Sequence, residues 1–436
     1  LNVVKVGLLG LGTVGGGTVN VLAKNSNDIF RRTGCQVVVT KACARDITSP
    51  RICDTDGITL TINPEEVTSD PEIQIVIELM GGEEPAKSLI IAALEQGKHV
   101  ITANKALIAN HGNELFAIAA KNNVTLAYEA AIAGGIPIVK AMREGLSANS
   151  IEWLAGIING TGNFILTEMR DKGSDFSDVL KEAQELGYAE ADPEYDVEGI
   201  DAAHKLCILA SLAFGMPLNF EKVYTEGISN ITPLDVIYAE ELGYRIKHLG
   251  VARKTHAGVE MRVHPTLIPE KRLIANVDGV MNAIVVNGNA VGSTLYYGPG
   301  AGADATASAV VADIVDICRV LDVSSQYYLP ALGFAADKLQ ELPILSIENI
   351  TTAFYLRLSV KDKPGVMAAI TTILADNGIS IEAVQQKEPG KRGANAQVIL
   401  LTDSVVEKSL LAALTDIESL DSINEPAIRI RVESLE

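Results

Sequence analysis

"VVKVGLLGLGTVGGGTVNVLAK", residues 3–24, opens on an apolar run and then sets Gly10, Gly12 and Gly15 in the GxGxxG spacing, with Leu11, Thr13 and Val14 between them. The apolar run reads as a buried strand, and the residues after the glycines suit a helix. The first glycine permits a tight turn, the second lets a pyrophosphate approach the backbone, and the third lets the helix pack against the strand. A helix starting there faces the phosphates with unpaired N–H groups and the positive end of its dipole. A merely structural glycine turn is the competing reading. The position between strand and helix favours a dinucleotide site.

The pattern continues outward. "CQVVVTKACARD" (35–46) is a second strand, "IQIVIELMGG" (73–82) a third, "PAKSLIIAALEQG" (85–97) an amphipathic helix stopped by Gly97, and "HVITANKALIA" (99–109) a strand leading into a helix. "VTLAYEAAIAGGIPIVKAM" (124–142) repeats the plan. Strand and helix in alternation predict an α/β, Rossmann-type doubly wound parallel sheet, with ligands at the carboxyl ends of its strands. Arg45 and Asp46 end the second strand, where an acidic residue suits NAD and a basic one accepts the extra phosphate of NADP. The pair leans to NADP through Arg45, and reads equally as a solvated strand end. Lys105 falls at another strand end, either at the surface or against the ligand.

Composition bounds the function. With 436 residues, 47% hydrophobic and 21% charged, the chain is globular and long enough for two or three domains. A net charge of -19 disfavours nucleic acid and anionic membrane as partners and points to a small ligand. Cys35, Cys43, Cys53, Cys207 and Cys318 are odd in number and contain no CxxC pair, so neither a zinc site nor a disulfide framework is indicated. No apolar run reaches the length of a membrane span, and "LNVVKVGLLG" lacks a targeting pattern. A soluble, untargeted, cytoplasmic protein with reduced thiols is expected.

"LGYAEADPEYDVEGIDAAHK" (186–205) places six carboxylates in twenty residues and ends on Lys205. Such a run is usually a solvated face. Here turn formers Gly187, Pro193 and Gly199 interrupt it, and it feeds an apolar helix, "GIDAAHKLCILASLAFG" (199–215). Asp201 and Lys205 lie four apart and share a helix face. Either they form an exposed ion pair of roughly 0.3 to 0.5 kcal/mol, or Lys205 donates a proton while Glu190, Asp196 and Asp201 hold a cationic substrate. Upstream, "NGTGN" (159–163) reads as a sharp turn around Thr161. His204, His248, His256 and His264 lack metal-ligand spacing and are assigned structural or surface roles.

In order along the chain, "GLGTVG", "ELMGG", "TANKALIA", "YEAAIAGGIPI", "NGTGNFILT", "LGYAEADPEYDVEGIDAAHKL" and "YYGPGAG" resemble the homoserine dehydrogenases over about the first 330 residues. The segment from "GYAEADP" to "DAAHK" is its most specific part. The resemblance implies reversible NAD(P)H-dependent reduction of L-aspartate 4-semialdehyde to L-homoserine, in the branch leading to threonine and methionine. It makes Lys205 the proton-transferring lysine and Asp201 the carboxylate that orients substrate. Glu190 and Asp196 become substrate-binding acids, Lys105 lies against cofactor and substrate, and Thr161 lies near the nicotinamide. It further implies a monovalent cation, usually sodium, on the backbone carbonyls of Glu129, Ile132, Gly134 and Ile136. The acidic run then has a reason, because the substrate carries an ammonium and its reduction leaves an alkoxide that needs a proton. Asp201, as a neighbouring anion, helps to keep Lys205 a proton donor.

"TLYYGPGAGADATASAVVADIVDICRVL" (294–321) brings Gly298, Gly300 and Gly302 to the start of another helix, which returns the chain to the first domain or adds N–H groups to the cofactor site. Between residues 222 and 293 the alternation of "VARKTHAGVEMRVHPTLI" and "NAIVVNGNAVG" predicts strands, in a region the resemblance makes a substrate and dimerisation domain. From "LPILSIENITTAF" a third, α+β unit begins, and Asp362, Pro364, Gly365 and Val366 with "NGISI" resemble the ferredoxin-like ACT domain, a sensor of amino acids. Threonine feedback is its implied role, with oligomerisation alone as the alternative. The expected domains are therefore 1–140 for NAD(P) binding with a return helix near 300–330, 141–330 for catalysis and dimerisation, 331–352 as linker and 353–436 for regulation. The whole would be a homodimer or homotetramer. Two other readings remain: a different NAD(P)-dependent amino-acid dehydrogenase, or a non-catalytic cofactor-binding regulator.

Overall fold

The structure, a computed structural model, describes residues 2–387 and 395–436. The chain packs as two compact units, neither continuous in sequence. The first comprises residues 1–160, 201–223 and 280–342, and the second residues 161–200, 224–279 and 343–436.

The first unit is built on a six-stranded parallel sheet, in the order Thr59–Thr61, Cys35–Cys43, Asn2–Leu9, Ile75–Glu78, His99–Thr102, Leu126–Ala127. This is the doubly wound order the alternation predicted. The order reverses beside Asn2–Leu9, so the glycine turn opens at the switch point where such sheets bind ligands. Ile75, Val76 and Ile77 are fully buried, as expected of a strand covered on both faces. Helix Ala303–Val320, capped by Gly302, packs on the glycine-rich helix Thr13–Lys24. A Cβ at Gly17 would stand 2.7 Å from the Ala303 carbonyl oxygen, so Gly17 sets how closely these helices approach. The unit also holds the antiparallel ribbon Ile151–Ile157, Met281–Gly288, Gly292–Pro299, and the helix that carries Lys205.

The second unit has the strand order Tyr244–Lys254, Val259–Pro269, Ile428–Val432, Thr351–Val360, Ala396–Thr402, Ile381–Lys387. Its last four strands, with helices Val366–Asp376 and Glu407–Glu418, give the βαββαβ chain order of a ferredoxin-like domain. Gly365 (φ +92°) and Gly378 (φ +71°) occupy the left-handed conformations that frame the first of these helices. Strand Ile428–Val432 pairs antiparallel with Thr351–Val360 on one side and parallel with Val259–Pro269 on the other. The sheet of the C-terminal domain therefore runs on into that of residues 244–269.

Two readings of the sequence change. "NGTGN" is not a free-standing turn. Strand Ile151–Ile157 passes almost directly into helix Gly160–Lys172, and Thr161–Asn163 form its first turn. Gly160 makes the short passage possible, since a Cβ there would stand 2.7 Å from the Val280 carbonyl oxygen. Nor does helix Ile200–Phe214 expose an ion pair. Every residue from Asp201 to Phe214 is buried.

Candidate active site

The glycine turn behaves as its spacing demands. Gly10 has φ +104°, and its N–H donates to the Cys43 carbonyl at 3.0 Å. A Cβ on Gly15 would sit 2.3 Å from the Gly10 carbonyl oxygen, whereas one on Gly12 would meet nothing within 4 Å. The first intrahelical bond runs from Gly16 to the Gly12 carbonyl at 2.8 Å, so the N–H groups of Thr13, Val14 and Gly15 precede it and point out of the helix end. In front lies a cleft of about 570 Å³, with Gly10, Leu11, Gly12, Arg45, Arg51 and Met80 on its walls. A diphosphate fits this donor set. Asp46 is turned to its own loop, where its carboxylate accepts from Ser49 Oγ, Thr48 Oγ1 (2.7 Å) and the Thr48 N–H (2.8 Å), and these bonds hold it well below the usual carboxylate range. Arg51, not singled out in the sequence, braces the loop by donating to the carbonyls of Leu11 (2.9 Å) and Asp46.

A buried charge cluster lies in the same unit. Asp201 Oδ2 receives Lys205 Nζ at 2.7 Å and Asn159 Nδ2 at 2.9 Å, while its Oδ1 is 3.0 Å from Lys105 Nζ. Lys205 also donates to the Ile158 carbonyl at 2.7 Å. Burial alone would raise the Asp201 carboxyl, but the ammonium groups of Lys205 and Lys105 outweigh it and hold the group ionised well below its ordinary range. Lys105 opens helix Lys105–Lys121, whose cap Asn104 accepts the Leu107 N–H at 3.1 Å. That loop is braced in turn. Thr102 Oγ1 takes the Asn104 N–H at 3.0 Å and donates to Glu78 at 2.7 Å. Glu78 is fully buried and accepts the Met80 N–H at 2.7 Å, and burial pushes its carboxyl up. The sequence brought out Asp201, Lys205 and Lys105, and missed Asn159, the Ile158 carbonyl and the Glu78–Thr102 brace. A carboxylate closing the apolar strand "IVIE" was the available signal for Glu78.

The remaining predicted substrate residues belong to the second unit. Thr161 Oγ1 donates to the Tyr188 carbonyl at 2.7 Å, which ties the helix start to the acidic segment. Glu190 is exposed, with its carbonyl held by Gln184 Nε2 at 3.0 Å. Asp196 lies on the short helix Glu194–Val197 and is half-buried. The histidines have packing roles or lie at the surface: His204 stacks on Phe220 at 3.9 Å, His248 Nε2–H donates to the Glu226 carbonyl at 2.9 Å, His264 lies 2.8 Å from Arg262, and His256 is exposed.

The loop predicted to hold a cation spans residues 129–136. Glu129 does not direct its carboxylate toward it. That group accepts the N–H groups of Val139 and Lys140, both at 2.9 Å, and burial together with nearby Asp313 pushes it up to about 7. Ala133 (φ +51°) and Gly134 (φ +52°) form a tight left-handed turn, and Gly134 leaves no room for a side chain against the Gly300 carbonyl. Among the described residues, no group of three or more His, Cys, Asp or Glu side chains is placed to hold a metal. Nor is any helix among them long and apolar enough to cross a membrane.

A phosphate-binding turn on a doubly wound sheet, with a buried lysine–carboxylate cluster in the same unit, defines an NAD(P)-dependent oxidoreductase. Comparison with known proteins makes this specific. Residues 10–129 match the homoserine dehydrogenase NAD-binding domain, residues 137–315 the homoserine dehydrogenase family itself, and residues 354–422 the ACT domain. A homoserine dehydrogenase of Pseudomonas aeruginosa is 58% identical over 432 residues, 99% of each chain. The crystal structure of one from Thiobacillus denitrificans superimposes with a TM-score of 0.94 at 57% identity, covering 100% of this chain and 99% of that one. A hyperthermophilic archaeal homoserine dehydrogenase, solved in complex with NADPH, matches 72% of this chain and 97% of its own with a TM-score of 0.62 at 28% identity. The chain belongs to the homoserine dehydrogenase family, oxidoreductases acting on a CH–OH group, and carries an ACT domain at its C-terminal end.

Proposed function

We propose that the chain reduces L-aspartate 4-semialdehyde to L-homoserine, reversibly, with Lys205 as the proton donor, Asp201 as its anchor and NADP as the preferred cofactor. The observation that carries this reading is the single buried carboxylate of Asp201, shared by two ammonium groups at 2.7 and 3.0 Å. Bound reduced nicotinamide supplies the hydride. Asp201 fixes the Lys205 ammonium in position, and Lys205 passes a proton to the alkoxide oxygen as it forms. In the reverse direction Lys205 takes the proton from the homoserine hydroxyl. Lys105 adds a second positive charge against developing negative charge, and Glu190 and Asp196 hold the substrate ammonium while Thr161 orders the segment that carries them.

Gly10, Gly12, Gly15 and the first-turn N–H groups hold the diphosphate, and the helix capped by Gly302 backs the glycine-rich helix. The NADP preference is supported by Arg45 and Arg51 on the cleft wall, by the engagement of Asp46 with Ser49 and Thr48, and by the NADPH found in the archaeal relative. A sodium ion on the carbonyls of Glu129, Ile132, Gly134 and Ile136 fits the loop. Its backbone hydrogen bonds engage Glu129 O (from Ile132, 3.3 Å) and Ile136 O (from Ile138, 2.8 Å), and among the described residues no backbone N–H engages the carbonyls of the buried residues Ile132 and Gly134. A homodimer or homotetramer is supported by the sheet-edge strand Gly292–Pro299, with Tyr297 58% exposed. Threonine is the proposed ACT effector. The five free, buried cysteines suit a reducing cytoplasm.

Loss of reduced-nicotinamide absorbance with aspartate semialdehyde tests the proposal, run with NADPH and NADH in parallel, each with and without threonine. Oxidation that requires the aldehyde and is faster with NADPH is expected. Folded protein that oxidises neither cofactor would overturn it.

A further inference from the structure

The C-terminal domain is joined to the acidic substrate segment by a buried arginine. Arg431, 1% exposed, lies on strand Ile428–Val432 opposite Thr266. Its guanidinium donates to Glu407, at the start of helix Glu407–Glu418, at 2.9 and 2.5 Å, and to Glu226 Oε2 at 2.8 Å. Glu407 belongs to the C-terminal domain. Glu226 does not: it follows the short strand Tyr224–Thr225, its N–H donates to the Val263 carbonyl at 2.8 Å, and Tyr224 OH donates to its carboxylate at 2.8 Å.

From Glu226 the chain runs directly along the segment that bears Asp196. Ile228 N–H donates to the Val197 carbonyl at 3.0 Å, and Ser229 Oγ to Glu198 Oε1 at 2.7 Å. Gly227 lies so close that a Cβ there would be 2.0 Å from Glu198 Oε2. His248, which donates to the Glu226 carbonyl, packs on the far end: a Cβ on Gly199 would stand 3.0 Å from His248 Cε1. Gly199 has φ +84° and ends the short helix Glu194–Val197. Residues 226–229 thus touch the Asp196 segment along 197–199, and Arg431 anchors them to the C-terminal domain through Glu226.

We propose that the Arg431–Glu226 ion pair is a positioning joint, through which the C-terminal domain holds residues 194–199, and with them Asp196, in the conformation that binds the substrate ammonium. The proposal rests on the functional reading above for the role of Asp196. The buried Arg431 guanidinium is fixed by its two-bond fork to Glu407 and holds the partly exposed Glu226 through one further charge-assisted bond, so a shift of strand Ile428–Val432 is transmitted to Glu226 rather than absorbed. A change of state in the C-terminal domain would then register in the KM for the amino-acid substrate and leave the chemistry of Lys205 alone.

Glu226→Gln in the full-length chain tests the joint. It keeps the shape, removes the charge and leaves Arg431 balanced by Glu407. Expected is a roughly tenfold higher KM for aspartate semialdehyde, with kcat and the KM for NADPH within about twofold of wild type. Arg431→Lys should move the same constant in the same direction. Glu407→Gln, which breaks only the limb inside the C-terminal domain, serves as the control: it should lower Tm with a smaller change in KM. Hydrogen–deuterium exchange of residues 195–199 gives a readout independent of turnover and should rise in Glu226→Gln. Unchanged substrate KM and exchange in Glu226→Gln, even with a lower Tm, would make the ion pair merely structural and overturn the joint. Equal losses in kcat and in both KM values would do the same. If wild type lacked turnover, the functional reading would fail instead, and exchange alone would decide the joint.

Discussion

Asp201 is the residue on which the proposed chemistry turns, because one carboxylate restrains two lysines. Taking Lys205 away leaves Asp201 still paired with Lys105 and Asn159, so Lys205→Ala should fold. Its turnover should fall by the ~10²- to 10⁴-fold typical of a lost general acid, while fluorescence titration shows NADPH binding unchanged. Turnover near wild type would remove Lys205 from the mechanism. Taking Asp201 away is worse, since it leaves two ammonium groups facing each other in a buried site. Breaking a buried pair costs about 3–5 kcal/mol, so Asp201→Asn should show a much lower Tm at neutral pH. The pH dependence has a definite sign. The folded-state carboxyl is held below its unfolded value, so the unfolded chain binds more protons through the acid range and stability rises with pH there. The contribution is complete above an unfolded pKa of about 3.9 and is lost as the pH falls through the folded value. The Tm gap between wild type and Asp201→Asn should therefore be constant from pH 5 to 7 and narrow below about pH 4. A gap that does not narrow would show that packing, and not ionisation, sets the cost.

Among the elements, the glycine turn gives the sharpest separation of stability from ligand binding. Gly15 faces the Gly10 carbonyl at a distance no Cβ tolerates, so Gly15→Ala must push the helix off the strand and should cost about 1–3 kcal/mol of stability. Gly12 has an ordinary φ of -86° and open space around it, so Gly12→Ala should keep its Tm. Its methyl group then occupies the space a diphosphate needs, and the KM for NADPH should rise at least tenfold, about 1.4 kcal/mol. A fall in Tm as large as that of Gly15→Ala, with cofactor KM unchanged, would refute this division. The geometry of the turn was legible in the sequence because it is local: strand, spacing and helix lie within about twenty residues. The parallel order followed for the same reason, from short alternating elements. Helix Ile200–Phe214 was legible only in part. Composition marked residues 199–215 as an apolar helix with Asp201 and Lys205 on one face, yet burial on every side depends on neighbours far away in sequence, which the pattern does not encode. Asn159 and the Ile158 carbonyl escaped notice likewise, since they reach Asp201 and Lys205 across more than forty residues. "NGTGN" misled because its composition is that of a turn, while the tertiary packing of Gly160 made it a helix start.

At the scale of the molecule, the chain changes unit at 160/161, 200/201, 223/224, 279/280 and 342/343. Lys105, Asp201 and Lys205 thereby fall in the first unit and Thr161, Glu190 and Asp196 in the second, an exchange fixed by non-local packing and therefore invisible to local pattern. It also decides what the C-terminal domain is to the rest of the chain. A regulatory module on a tether could be cut away without cost. Here one hydrophobic core of the second unit joins Phe164, Val179, Ile228 and Ile246 to Tyr355, Ile399, Leu401 and Ile430. Charge is shared in the same way. Arg262, with no exposed surface, is paired with Glu260 at 3.0 Å and with Glu433 at 2.6 Å, and Asp235 receives Arg357 at 2.6 Å. A chain ended at Leu342 would uncover the apolar side chains that face Tyr355 and Ile430, at about 1.5–3 kcal/mol for each large residue, and would leave Arg262 short of one carboxylate. Losses of that size approach the whole stability of a domain, about 5–15 kcal/mol. The shortened chain should therefore aggregate or bind hydrophobic dye, and its second unit should lose cooperative unfolding in calorimetry. The first unit, whose parallel sheet lies wholly outside the deleted region, should still bind NADPH. A soluble, cooperatively folding chain of residues 1–342 with wild-type substrate KM would show the C-terminal domain to be an appendage, and with it would go the case for a joint at Arg431.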